Sequence, residues 1–302
     1  MADPDFTPLQ QLCERLVSEH GDSIDNILFY GSCLRSGQLF DGLVDLYVIV
    51  DNYRDFYPRR WPALANWLLP PNVFYIEQPS GEQILRSKVT VISTADFGRG
   101  ASRWFETYIW GRFTQPIEIV YSRNPGCKQQ LQTQLRQATL SFLNRVLPRL
   151  PAEGSVQALW RDGIKLSYSV EWRAESASRA QELINNDQRA YEQRLRDCHQ
   201  ELRYPLEILQ LGDSLSYRSH IPAMQRALSR LAWPLRRLQG KTLSILRLVK
   251  ALFTFEGGLD YIAWKLERHS GQKIDIPERV RRYPLIFIWG LFYRLYRRGI
   301  IR

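Results

Sequence analysis

The chain has 302 residues, a formal net charge of +10 and four cysteines. This length can hold one large domain or two modest ones, and the composition excludes a disordered chain. The positive charge predicts an anionic partner: a nucleotide phosphate, an acidic lipid or a nucleic acid. Scattered cysteines and an acidic, polar N-terminus favour a reducing, cytoplasm-like compartment. The sequence has no run of about 20 apolar residues that would form a simple membrane span.

The most informative stretch is residues 27–51, ILFYGSCLRSGQLFDGLVDLYVIVD. It predicts a strand ending at Tyr30, a tight turn at Gly31-Ser32, and a second strand at 44–50 that carries Asp45 between apolar neighbours. The backbone N–H groups of such a turn suit a triphosphate, and the acid suits a metal ion that bridges its oxygens. The alternative is a plain turn between core strands with Asp45 as a capping residue. The cost of burying an unpaired carboxylate favours the functional interpretation.

The next segments extend this unit into a mixed sheet with helices on one side. Residues 88–93 predict a third strand from their β-branched content, and 117–121 predict a fourth after a break at Pro116. Residues 8–20 predict a short helix, and the proline-broken, aromatic section at 52–78 predicts helix pieces and a loop packed over the sheet.

Residues 101–113 predict a helix with Trp104, Tyr108 and Arg112 on one face. Taken alone, Lys88 is interpreted as a solvated cation and Arg112 as an arginine on the helix surface. The aromatic residues are interpreted as core residues. Lys88 and Arg112 also suit a second role, because cations balance the charge on a transferring phosphate.

The overall prediction is an α+β chain in three regions. Residues 1–122 form the sheet domain, 123–218 an all-helical or winged-helix domain, and 219–302 a C-terminal helical region. Helical stretches are predicted at 128–150, 155–173 and 177–204. They continue with LSILRLVKALFTF, YIAWKLERH and LIFIWGLFYRLYRRGIIR.

The last of these segments predicts contact with an anionic membrane surface through residues 279–302. Its apolar block LIFIWGLF is about 12 Å long as a helix, too short to cross a hydrocarbon core of about 30 Å. Arginines bracket it, with Trp289, Tyr293 and Tyr296 as interfacial aromatics. A domain-closing core helix is the alternative. The dense apolar block fits lipid better than a phosphate backbone, so no nucleic-acid partner is expected.

In combination, these residues resemble the mitochondrial translocator assembly and maintenance family, the peripheral-membrane phosphatidate cytidylyltransferases. The matching motifs, in chain order, are Tyr30-Gly31-Ser32, the Asp45 strand, the lysine-led strand from Lys88, and the pattern Trp104, Tyr108, Gly111, Arg112, Pro116. Further matches are Gly163–Ser169, Leu248–Leu252 and Tyr261–Leu266. The plain N-terminus indicates a bacterial relative, on the cytoplasmic side of the inner membrane. The alternative is the matrix side of the mitochondrial inner membrane.

The resemblance implies a nucleotidyltransferase-like domain at 1–122 and Mg²⁺-dependent transfer of CMP from CTP to phosphatidic acid, which gives CDP-diacylglycerol for phospholipid biosynthesis. It implies that Tyr30, Gly31 and Ser32 contact CTP, that Asp45 ligates Mg²⁺, and that Lys88 and Arg112 bind and neutralise phosphate.

The chain departs from the family pattern at Cys33, where the family commonly has glycine, and at Gly100, where an acid is expected. Tyr47 takes the place where a second metal-binding acid usually stands. Either one carboxylate serves, or another acid completes the site, the candidates being Asp41, Asp51, Asp96 and Glu118. Two alternatives remain: a nucleotidyltransferase acting on RNA or a small molecule, and a catalytically silent, membrane-bound nucleotide-binding protein.

Overall fold

The computed structural model describes residues 6–171, 184, 187–211, 214–254, 267, 274, 276–282 and 290. The strands are β1 (Ile24–Tyr30), β2 (Val44–Val50), β3 (Asn72–Ser80), β4 (Gln83–Ser93), β5 (Ile117–Ser122), β6 (Glu153–Ser155), β7 (Leu206–Leu211) and β8 (Ser214–Ser219). The α-helices are α1 (Thr7–His20), α2 (Ser32–Ser36), α3 (Tyr53–Phe56), α4 (Arg60–Leu68), α5 (Thr94–Ser102), α6 (Pro125–Val146), α7 (Val156–Tyr168), α8 (Gln188–Cys198), α9 (Ala223–Thr254) and α10 (Glu278–Arg282).

A five-stranded mixed sheet forms the first half of the molecule, with strand order β3-β4-β2-β1-β5. The β2–β4 pair is parallel, and the other neighbours are antiparallel. Both faces of the central strand β2 are covered, which explains its almost continuous apolar sequence VDLYVIV. The mixed sheet and the α+β class are therefore confirmed.

Two apolar cores cover the two faces of this sheet. Alternate β2 residues face each core: Leu46, Val48 and Val50 pack with α1 on one side, and Tyr47 and Ile49 pack with α5, α6 and α7 on the other. The second core continues without interruption to Trp233 of α9. One core thus contains residues of all three predicted regions, while the boundaries at 122 and 218 stay predictions.

Local signals in the sequence start several of these helices. Asn124 and Ser155 accept hydrogen bonds from the N–H groups of Cys127 and Ala158, so they cap α6 and α7. Ser93 caps α5 in the same way, through the N–H of Asp96. These caps fix where each helix leaves the sheet.

The predicted helix at 101–113 is wrong. Helix α5 ends at Ser102, and 103–116 is a chain of turns in which Trp110 Nε1 donates to the carbonyl of Trp104. The turns bury Ile109, Trp110 and Phe113, residues whose spacing would also suit one face of a helix. The spacing of Trp104, Tyr108 and Arg112 imitated helical periodicity.

Three further differences concern the strands. Residues 72–80, predicted as part of a loop, form β3, which pairs with β4 through a turn containing Gly81. The strand predicted at 88–93 begins earlier, at Gln83. The small antiparallel sheet β6-β8-β7 excludes an all-helical second region, and the winged-helix version stays a prediction.

The C-terminal prediction can be compared only in part. LSILRLVKALFTF lies in α9 up to Thr254, whereas its last residue and almost all of YIAWKLERH and LIFIWGLFYRLYRRGIIR fall outside the described residues. Within the described part of the chain, no helix is long and apolar enough to cross a membrane.

We expect Phe142→Ala to lower the free energy of unfolding by about 3–5 kcal/mol, because it leaves a cavity in a packed core. The Phe142 ring is fully buried and stacks on Trp160 with a centroid distance of 5.4 Å. The matched control Phe253→Ala, on an exposed ring, should change stability by no more than about 0.5 kcal/mol. Equal effects in urea unfolding would contradict this assignment of the core.

Candidate active site

Three of the predicted site residues form a row across the centre of the sheet. In the register of β1, β2 and β4, Tyr30 lies opposite Asp45, and Asp45 lies opposite Lys88. Residues at paired positions point to the same face, and Lys88 Nζ lies 3.7 Å from Asp45 Oδ1. The register therefore brings a cation beside the acid.

Gly31 closes this row at the end of β1. Its φ of 96° and ψ of −159° lie in a region that is essentially restricted to glycine. A Cβ at this position would lie 2.7 Å from Asp45 Oδ2. The carboxylate therefore packs directly against the backbone of the turn, and the exposed Ser32 begins α2 next to it.

The environment of Asp45 leaves its charge incompletely compensated. Burial raises the pKa of the Asp45 carboxyl above its ordinary value, although Lys88 and Arg112, and more weakly Arg35, act to lower it. The side chain is still 23% exposed. Another cation brought to the carboxylate from solution would therefore stabilise its ionised form.

Tyr47, which takes the place of the second acid, holds Arg112. The fully buried Tyr47 hydroxyl accepts a hydrogen bond of 3.2 Å from Arg112 Nη1. Arg112 Nη2 donates to Glu171 Oε1 at 2.7 Å. A carboxylate at position 47 would attract a metal ion; the phenol instead positions a guanidinium on the same face of the sheet as Asp45.

Two arginines flank the ring of Tyr108. The Cζ atoms of Arg112 and Arg247 each lie 4.3 Å from the ring centroid, a distance typical of cation–π contacts. Burial raises the pKa of the Tyr108 phenol, but Arg112, Arg247 and Lys88 outweigh burial and hold the pKa below its ordinary value. Lys88, Arg112 and Arg247, called the electropositive cluster below, thus bring positive charge to this phenol, and each is also paired with a carboxylate, namely Asp45, Glu171 and Glu106.

Arg247 comes from α9, far along the chain. Its Nη1 and Nη2 donate to the two oxygens of the buried Glu106 at 2.9 and 2.5 Å, and its Nε donates to the Pro70 carbonyl. One turn on, Lys250 Nζ donates to the carbonyls of Leu69 and Pro71. Sequence reasoning missed both residues, although two cations three positions apart inside the apolar run LSILRLVKALFTF were a usable signal.

The remaining predicted residues differ in how directly they reach the site. The Tyr30 ring packs in the core, with its centroid 5.2 Å from that of Tyr47. Cys33 is buried, and its Sγ donates to the Leu43 carbonyl, which ties α2 to the loop before β2. At Gly100 a Cβ would lie 2.5 Å from Ile109 Cγ1, so this position has no room for the acid that the family pattern expects.

Three of the four candidates for a second carboxylate do not adjoin Asp45. Glu118 pairs with Phe29, whose side chain lies on the opposite face of the sheet. Asp51 follows the far end of β2, about 20 Å along the strand, and Asp96 lies at that same end, after Ser93. Asp41, exposed in the loop before β2, is at the Asp45 end.

The residues present fit a metal site of one specific kind. The described part of the chain contains no group of three or more His, Cys, Asp or Glu side chains that could hold a metal ion. Mg²⁺, however, is often bound by one or two carboxylates, with waters and substrate phosphates as the other ligands. Asp45 suits this substrate-assisted arrangement.

Comparisons with known proteins add little. No family model matches the chain, and no curated protein matches it. Among solved structures, a nucleotidyltransferase-like protein from Exiguobacterium sibiricum is similar with a TM-score of 0.26 and 13% sequence identity, covering 70% of this chain and 100% of that one. A likeness this low carries no argument, so the function must be argued from the geometry of the site.

We expect Gly31→Ala to destabilise the fold more than Gly81→Ala. Both glycines have positive φ, but a Cβ at Gly81 meets nothing within 4 Å. Gly81→Ala should therefore cost about 1–2 kcal/mol from backbone strain alone. Gly31→Ala should cost at least about 1 kcal/mol more, because it also displaces the Asp45 carboxylate. Urea unfolding of the two variants measures the difference, and equal costs would contradict the close packing of Gly31 and Asp45.

Lys250 predicts a pH dependence of stability. Burial, with a contribution from Arg247, lowers the pKa of Lys250 to about 7. Between about pH 7 and 10 the unfolded chain therefore binds more protons at this residue than the folded chain, and stability rises with pH. The contribution is at most about 1.4 kcal/mol per pH unit.

Urea unfolding at several pH values in this window tests the prediction. Lys250→Met should remove this rise, whereas Lys241→Met, on the exposed side of the same helix, should keep the wild-type slope. Identical slopes for wild type and Lys250→Met would show that Lys250 titrates normally in the folded protein.

Proposed function

We propose that this protein is a nucleotidyltransferase that transfers CMP from CTP to phosphatidic acid and releases pyrophosphate. The observation that carries the proposal is the packing of the Gly31 turn against the Asp45 carboxylate, with Lys88 and Arg112 on the same face of the sheet. This arrangement combines a backbone anion site, an acid for a metal ion and cations for phosphate.

In this proposal the backbone N–H groups at Gly31-Ser32 bind the triphosphate, and Lys88 and Arg112 neutralise its oxygens. Mg²⁺, held by Asp45 and by the nucleotide itself, supplies charge neutralisation when bound. A phosphate oxygen of the lipid attacks the α-phosphorus of CTP in line, a P–O bond forms, and the bond to pyrophosphate breaks. The protein contributes mainly positioning and electrostatics.

The choice of CTP and phosphatidic acid comes from the family resemblance, and the electropositive cluster supports it. Lys88, Arg112 and Arg247 meet at one end of the sheet, where two anionic substrates must approach each other despite their repulsion. The product, CDP-diacylglycerol, places the protein in phospholipid synthesis. We infer a peripheral location on the cytoplasmic side of a bacterial inner membrane, with the mitochondrial matrix side as the alternative.

One observation favours a second candidate, a catalytically silent nucleotide-binding protein. Tyr47 occupies the place of the second acid and is committed to Arg112, and Lys88 is already paired with Asp45. Such a site can bind a triphosphate without completing a two-metal centre. CTP binding by calorimetry without product formation would support this candidate.

We expect Asp45→Asn to reduce turnover about 10²–10³-fold, because it removes the charge that holds the metal ion. The assay combines the protein with CTP labelled in its α-phosphate, Mg²⁺ and phosphatidate vesicles, and measures lipid-soluble label. Asp51→Asn, at the far end of the same strand, is the matched control and should retain full activity.

Two outcomes would contradict the proposed function. If wild type forms no lipid-soluble product, phosphatidate is not the acceptor, and label transferred to RNA or to a water-soluble acceptor identifies another nucleotidyltransferase. If Asp45→Asn is as active as wild type, the site described above is not the catalytic one.

A further inference from the structure

Helix α9 presents an apolar face to solvent along its whole length. Large apolar residues recur every three or four positions from 224 to 238 and again, after a gap, from 246 to 253, so they share one side of the helix. The stripe consists of Met224, Leu228, Leu231, Leu235, Leu238, Ile245, Leu246, Val249 and Phe253, all exposed, with Leu231 at 70%. A helix of 32 residues is about 48 Å long. An exposed apolar stripe of this length marks an interaction surface.

Helix α4 adds a second exposed apolar face next to α9. Trp61, Leu64, Trp67 and Leu68 are each more than half exposed, with Trp67 at 63%. The two helices contact each other, and Lys250 of α9 donates to the carbonyl of Leu69, the residue that follows α4. We define the docking surface as this face of α4 together with the apolar stripe of α9.

The charges around the docking surface identify its partner. Helix α9 contains no Asp or Glu and seven basic residues, namely Arg226, Arg230, Arg236, Arg237, Lys241, Arg247 and Lys250. Arg230, Arg237 and Lys241 are exposed beside the stripe. A second copy of this chain would bring like charges together, and the helix offers no acids for inter-helix ion pairs. An apolar face bordered by cations and tryptophans instead matches an acidic lipid surface.

The opposite side of α9 packs against the protein and reaches the site at Arg247. Trp233, Arg236 and Gly240 are buried against the protein, and Arg247 reaches Tyr108 and Glu106. One side of α9 would thus contact the bilayer through the docking surface. The other side supplies Arg247 to the electropositive cluster.

We propose that α4 and the apolar stripe of α9 form the surface by which this protein lies on an acidic bilayer, with α9 in the plane of the membrane. The proposal deepens the proposed function, on which it rests for the lipid acceptor. It concerns a surface different from residues 279–302, which the sequence indicated.

Vesicle flotation of the full chain without CTP tests the surface separately from the chemistry. The probes are phosphatidylcholine vesicles with and without phosphatidylglycerol, an acidic lipid that is not the proposed acceptor. We expect binding only to the acidic vesicles, weakening as NaCl is raised. The triple variant Leu231→Gln/Leu235→Gln/Leu238→Gln and the double variant Trp61→Gln/Trp67→Gln should each lose at least about tenfold in partitioning.

Ile84→Gln is the matched control, because Ile84 is an exposed apolar residue on the β3–β4 hairpin, outside the docking surface. It should bind like wild type, and thermal unfolding should show all variants to be folded. Asp45→Asn should bind vesicles normally while losing turnover, and the triple variant should keep turnover on a water-soluble, short-chain phosphatidate. Loss of turnover without loss of vesicle binding, or the reverse, tests the proposed function and the docking surface separately.

Three results would overturn this surface. The first is unchanged vesicle binding by the triple and double variants. The second is a wild-type dimer in light scattering that the triple variant converts to monomer, which assigns the stripe to a second copy. The third is failure of the wild-type protein to bind the acidic vesicles at low salt.

Discussion

The placement of one carboxylate in the central strand constrains everything around it. Asp45 needs a neighbour without a side chain, and Gly31 provides it in a backbone conformation that other residues avoid. It also needs a nearby cation, which the parallel register of β2 and β4 supplies as Lys88. Burial raises the pKa of Asp45 by more than the nearby cations lower it. A further positive ligand would therefore stabilise the ionised carboxylate in the folded protein.

The second constraint is the guanidinium of Arg112, whose side chain is only 14% exposed and needs hydrogen-bonding partners within the protein. Tyr47, Glu171 and the Tyr108 ring surround it. Tyr47 therefore does more than replace a metal-binding acid. Its hydroxyl helps to hold Arg112 in the electropositive cluster. The site has one strand carboxylate and several fixed cations, so in the proposed function anion binding would depend more on Arg and Lys side chains than it does in a site built from paired acids.

The sequence allowed the central strands, β5, α1, α6 and most of α7 to be predicted, because their apolar and β-branched patterns are strong. Periodicity failed at 101–113, where Trp104, Tyr108 and Arg112 have helical spacing. The helix ends at Ser102, and the chain continues in turns that bury Trp110 and Phe113. It also failed at β3, because the prolines and aromatics nearby hid a strand whose partner is the following strand.

The candidate site was predicted in its local parts and missed in its distant ones. Gly31, Asp45 and Lys88 lie within two motifs whose register follows from strand pairing. Arg247 and Glu106, in contrast, are 141 residues apart, and nothing in either local sequence indicates that they meet. Gly100 is also explained only in three dimensions, by the Ile109 side chain against its Cα.

The bonds that α9 makes have a consequence for the order in which the protein is assembled during synthesis. Lys250 and Leu69 are separated by 181 residues, and Arg247 and Pro70 by 177. The strands that carry Asp45 and Lys88 leave the ribosome long before α9 does, so a nascent sheet can form while Glu106 still has no guanidinium partner. Completion of the electropositive cluster is therefore delayed until nearly the whole described chain has been made, and the docking surface becomes available at the same step.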